Sequence, residues 1–402
     1  MAGLSLFLVL AVAGAAWVLT RPEDPYTAQA PAPVATGPQA GEAAAALDRL
    51  VEAVQSGDVE AAEALADPDD AQAVAQLGAL AQNGAELQVE GLELRYVDEV
   101  TGVAAGRWSA AVDAAWAFGG FDPDPARTEV LVGFRATADD LWITSVGGGD
   151  RRTPIWMTGP LTVDRTEDAL VLVAGSPGSV DAYARAARAA VPVVRRVLPQ
   201  WRTGLVVEVA ADLDQLGAAL DVEPADYEGI AALATSPDGT LAPQAPVHVF
   251  LNREVYDQLG PTESQVVMSH EATHVATSAP SSLAPAWLVE GIADFVALRD
   301  VDLPDTVTAG QIIREVRRQG LPEALPSSAD FDSTSTYLGS VYEAAWLVCR
   351  VLAERGDQEA LVRLYDDASR SGRLQPELRE LFGWSEEQLV DAWQAELERL
   401  TA

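Results

Sequence analysis

The spacing of hydrophobic positions changes several times along the chain. Over residues 42–55, Leu47, Leu50, Val51 and Val54 recur at helical spacing, and Ser56-Gly57-Asp58 supplies a stop. Further helices are expected at 59–66 and 70–82. The period then shifts to two. Residues 87–97, 107–118, 129–137 and 141–146 alternate, or carry β-branched and aromatic side chains, between clusters of Gly, Pro and Asp. Helices followed by a run of antiparallel strands predict an α+β unit. Gly147-Gly148-Gly149, then Arg151-Arg152, mark its exit; without the Lys and Ser/Thr of a P-loop they are no phosphate cradle. A second unit follows, with strands at 161–164 and 170–174, a helix over 179–197, and strands at 204–210 and 247–251. From there to Ala402 the pattern is almost all helical, and no internal repeat is present.

Residues 3–20 fit neither period. They are apolar apart from Ser5 and Thr20, and at 18 residues they reach the short end of a membrane span. The run Ala13-Gly14-Ala15-Ala16 also resembles a signal-cleavage site, but no basic residue precedes the apolar stretch. Arg21 is followed at once by Glu23 and Asp24, so flanking charge fixes no orientation. The reading is a single-pass anchor in the cell membrane, with a cleaved signal and secretion as the alternative. Pro22, Pro25, Pro31, Pro33 and Pro38, set among Ala, Thr and Gln, make an extended spacer. The expected organisation is an anchor or signal segment at 1–20, a Pro/Ala-rich linker at 21–41, an α+β domain at 42–158 and a second folded domain at 159–402. This order places the body outside the cytoplasm.

Composition narrows the function. The 402 residues include 61 Asp+Glu against 26 Lys+Arg, a net charge of −35, which leaves no basic footprint for nucleic acid. At 49% hydrophobic and 22% charged the chain is a folding one, not an acidic disordered tail. Cys349 is the single cysteine, so an internal disulfide and a Cys-cluster zinc site are both excluded. Lys is absent and Asn occurs only at Asn83 and Asn252, as a GC-rich coding sequence would produce.

The chemistry sits on the three histidines, His248, His270 and His274. Two of them lie in His270-Glu271-Ala272-Thr273-His274, an H-E-x-x-H pattern. On a helix, residues four apart share a face, so His270 and His274 can present two imidazoles to one zinc ion. Glu271 falls beside the metal and can take a proton from an attacking water. Pro261-Thr262-Glu263 reads as the helix start, with Thr262 as N-cap. Glu290 follows His274 by 16 residues, a span over which a helix–loop–helix can fold back and deliver a third ligand. Asp294, four residues further on, shares its face and can bond the far nitrogen of a ligating histidine.

The runs Val266–His274 and Pro285–Asp294 together resemble the gluzincin metallopeptidases, in particular the peptidase MA-like group, over roughly residues 161–370. The resemblance implies Zn2+ bound by His270, His274 and Glu290, Glu271 as general base, and a peptide or protein substrate. It also implies a thermolysin-like fold for 159–402, with a small sheet and a mostly helical C-terminal half. Metzincins are excluded, since Thr277 and Pro280 stand where they need Gly and His. The family's cleft strand maps onto 247–252, which makes His248 and Asn252 candidate cleft residues. Its oxyanion tyrosine maps onto Tyr337, with Tyr342 as runner-up. No Gly-Ala-Met-Glu-Asn-like segment precedes the helix, which points to an endopeptidase. The order of elements in 42–158 resembles the cone-like domain of nuclear transport factor 2 and SnoaL-like proteins. The alternative reading is a catalytically silent zinc-binding or scaffold protein of the cell envelope.

Overall fold

The computed structural model describes residues 39–102, 104–175, 180–331 and 337–402. The expected anchor at 1–20 and nearly all of the linker at 21–41 lie outside them. Among the described residues no helix is long and apolar enough to cross a membrane.

Helix α1 (Ala40–Ser56) buries Leu47, Leu50 and Val54 along one stripe and ends at Gly57, whose φ of 67° closes the last turn in the left-handed region. Short α2 (Val59–Glu63) and α3 (Ala71–Leu87) are capped by Asp58 and Asp70. Strands β1 (Val89–Glu99), β2 (Arg107–Phe118), β3 (Ala126–Ala136) and β4 (Leu141–Val146) form an antiparallel sheet in chain order. Along β2 the side chains of Trp108, Ala110, Val112, Ala114, Trp116 and Phe118 are buried in the core under α1 and α3. Asp113 and Ala117 on the other face are partly open.

The second sheet has the order β5-β6-β7-β9-β8, from β5 (Leu161–Arg165), β6 (Ala169–Ala174), β7 (Leu205–Val209), β8 (Ala232–Thr235) and β9 (His248–Leu251). Its inner strands β6, β7 and β9 are mutually parallel, and the two edges run antiparallel. Every residue of β6 and β7 is buried. The reason is cover on both faces, which also explains why these strands read as unbroken apolar runs. Leu170, Leu172, Val206 and Phe250 join the core of the first sheet. Val171, Val173, Val207, Val249 and Leu251 join the core of the helical half.

That half comprises α4 (Val180–Arg195), then, after α5 (Leu213–Leu220), which packs Leu216, Ala219 and Leu220 into the first core, α6 (Arg253–Tyr256), α7 (Pro261–Ala276), α8 (Ala286–Ala297), α9 (Asp305–Thr308), α10 (Gly310–Gln319), α11 (Leu338–Arg355), α12 (Gln358–Ser371), α13 (Gln375–Phe382) and α14 (Glu386–Thr401). Helix α7 lies between α4, α8 and strand β8, and α8 packs along α11. The chain is thus mixed α+β with two small sheets.

Candidate metal centre

Helix α7 begins at Pro261, with Gly260 as N-cap. The Glu263 carboxylate accepts the Gly260 N–H at 2.8 Å, satisfying one orphan donor of the first turn. This corrects the expected cap: Thr262 lies inside the helix, because proline without an N–H is favoured at the first helical position.

One and a half turns of α7 carry His270, Glu271 and His274, and α8 brings Glu290 and Asp294 against them. The Nε2 atoms of His270 and His274 are 2.9 Å apart. Glu290 Oε2 lies 3.2 Å from the first and 3.3 Å from the second. Asp294 Oδ1 is 2.8 Å from His270 Nδ1 and accepts its proton, which leaves His270 Nε2 with its lone pair toward the triangle. Two imidazole lone pairs this close repel unless a cation lies between them. A tetrahedral ion with bonds of about 2.0–2.1 Å sets its ligand atoms about 3.3 Å apart, so the triangle matches one face of such a site. These three residues therefore fit a zinc-sized cation. The one second nitrogen without a partner is His274 Nδ1, buried and unbonded among the described residues.

Burial would lower the His270 pKa, but the Asp294 charge and the bonds from Asp294 and Glu290 outweigh it and push it well up. Burial would raise Glu290, but the two imidazoles hold it well below the carboxylate range. Glu271 is raised, chiefly by burial, against the opposing pull of both histidines. The nearby Ala234 amide on β8 also opposes the rise, so the edge strand of the second sheet runs beside Glu271.

The tyrosine brought to the cluster is Tyr342. Its ring centroid is 6.1 Å from that of His270 and it stands edge-on to Phe331 at 5.3 Å. Burial and the charges of Glu290, Asp294 and Glu271 push its hydroxyl up, keeping it a proton donor. Tyr337 instead caps α11, is 46% exposed and lies under the Arg318 guanidinium. Tyr342, the runner-up, is thus the tyrosine whose ring lies beside that of His270.

The two expected cleft residues are both buried. His248 is fully buried, with Nδ1 2.7 Å from Glu208 and Nε2 2.9 Å from Asp122, and its ring stacks on Phe118. Asn252 caps α6 through Glu254 N–H and donates to the Tyr227 carbonyl. Both belong to β9 or its end, and β9 is an interior strand; the strand bordering α7 is β8. Ala234 and Phe331 are the neighbours that sequence reasoning missed. The alanine-rich stretch of β8 carries no strand signal, and only the Pro237-Asp238-Gly239 turn after it marks an element there.

No protein-family model matches this chain, and no curated protein matches it.

Proposed function

We propose that the chain is a zinc-dependent metallopeptidase of gluzincin type that hydrolyses internal peptide bonds. The observation that carries this reading is the triangle of His270, His274 and Glu290 with a separate buried carboxylate, Glu271, beside it. A purely structural site has no use for that fourth group.

His270, His274 and Glu290 would hold the ion, and Asp294 would fix the ring of His270. Zinc, when bound, acidifies water and polarises a carbonyl. Glu271 takes the proton of the attacking water and passes it to the leaving amine. Tyr342 donates its hydroxyl proton toward the negative charge that develops on the carbonyl oxygen. In this reading residues 42–158 form a nuclear transport factor 2-like module, residues 159–402 a thermolysin-like one, and the 1–20 segment anchors the protein with its site outside the cytoplasm.

The test is zinc content and peptide cleavage by the full chain and by Glu271→Gln. We expect about one zinc per chain in both, with turnover lowered by roughly 10²–10⁴-fold in the variant. Zinc without any cleavage would favour the silent envelope protein instead. Full activity in the variant would remove Glu271 from the mechanism.

A further inference from the structure

One turn beyond His274 the chain leaves α7 and lines a pocket of about 460 Å³. Thr277, Ser281 and Ser282 form one wall, and Tyr365, Asp366 and Arg370 of α12 form the other. Pro243, in the segment that follows β8, closes the side toward the edge strand. The pocket is thus lined in part by the segments that directly follow α7 and β8.

Three of its hydroxyls have already spent their protons. Thr277 donates its hydroxyl proton to the Thr273 carbonyl at 2.8 Å, Ser281 to the Ser278 carbonyl at 3.0 Å, and Ser282 to Ser369 Oγ at 2.8 Å. A hydroxyl has one proton and two lone pairs, so all three have only acceptor capacity left. Asp366 is half-buried and has no hydrogen-bond or ion-pair partner among the described residues. Its burial pushes the carboxyl pKa up, partly offset by the nearby Arg370 charge. Arg370 itself is largely exposed and paired with Asp367. Tyr365 is 1% exposed, and its hydroxyl also has no partner among the described residues. Ser369, whose Oγ accepts the Ser282 proton, and Tyr365 keep donors of their own, but the charged group of the lining without a hydrogen-bond or ion-pair partner among the described residues is the Asp366 carboxylate, which a cation would match.

We infer that this pocket receives the guanidinium or ammonium group of a basic side chain, paired with Asp366, and so makes the protein selective for basic peptides. The peptide part of this inference rests on the peptidase reading; the cation part does not. A net charge of −35 draws the same class of ligand by long-range attraction.

The test is binding of N-acetyl-L-arginine amide and N-acetyl-L-leucine amide to the full chain, followed by calorimetry or ligand-observed NMR. The arginine amide is expected to bind in preference to the leucine amide. Asp366→Asn should weaken it by about tenfold or more at an unchanged melting temperature, since bonds to charged groups are among the stronger ones. Asp366→Glu, which keeps the charge, should retain binding. Equal affinity for the two amides, or an Asp366→Asn variant that binds as well as the parent, overturns the assignment. No turnover enters this measurement. A chain that binds the arginine amide selectively yet cleaves nothing keeps the pocket and loses the peptidase reading; one that cleaves peptides but binds both amides alike does the reverse.

Discussion

Glu271 is kept off the triangle of His270, His274 and Glu290 by helix phase. It follows His270 by one residue, a rotation of roughly 100° about the axis, while His274 returns to nearly the same bearing. The same residue scale separates the two histidines. His270 has Asp294 behind it, and His274 has no partner on Nδ1. In the proposed site, removing Asp294 therefore takes away the one carboxylate, among the described residues, bonded to Nδ1 of a histidine that would hold the ion. Asp294→Ala is expected to lower zinc affinity by about 10–100-fold, read by competition with a chelator. An unchanged affinity would leave Asp294 a mere neighbour. His270, Glu271 and His274 were legible in the sequence because their relation is local: once the segment is a helix, its period dictates which atoms converge. Glu290 was legible because only a short connection separates the two helices.

At the scale of elements, the centre depends on the seam between α8 and α11. A Cβ at Gly291 would lie 2.5 Å from the Ala345 carbonyl oxygen and 2.7 Å from Cys349 Sγ, so the two backbones approach as closely as glycine permits. Gly291 directly follows Glu290. Gly291→Ala must push α8 away from α11 and carry Glu290 and Asp294 with it. We expect a loss of about 1–3 kcal/mol in stability, measured by denaturant unfolding, together with reduced zinc occupancy. A variant with parental stability and full zinc would show that the seam has slack. The same seam sets which tyrosine reaches the site. Tyr337 and Tyr342 are five residues apart, so they point in different directions from one helix. The packing of Ala344, Ala345 and Val348 chooses the phase, and no pattern in the sequence names it.

Across the whole molecule, the second sheet is a shared wall, with one face in each core. His248 joins the two sides: Glu208 comes from β7, while Asp122 comes from the turn after β2 in the first sheet. Burial alone would lower the His248 pKa, but the Asp122 charge and the bonds from both carboxylates raise it to about 10. Because the folded value lies above the unfolded value of about 6.5, this contribution to stability is complete below about pH 6.5. It is lost as pH rises toward 10. With three histidines in the chain, imidazole NMR can resolve each one. His248 should keep both ring protons at pH 8, and the melting temperature should fall between pH 7 and 10. A neutral His248 ring at pH 7 would contradict the clamp.

By itself the sequence determined the alternation of helices and strands, the mixed α+β class and the four groups from His270 to Glu290. Those are matters of period, capping and short-range spacing, which act along the chain. Tertiary structure decided that His248 and Asn252 are buried supports, that Tyr342 adjoins the cluster, and that alanine-rich β8 runs beside Glu271. Each of those depends on which face of an element is covered by a distant segment. Such cover is the outcome of packing, and a one-dimensional pattern does not record it.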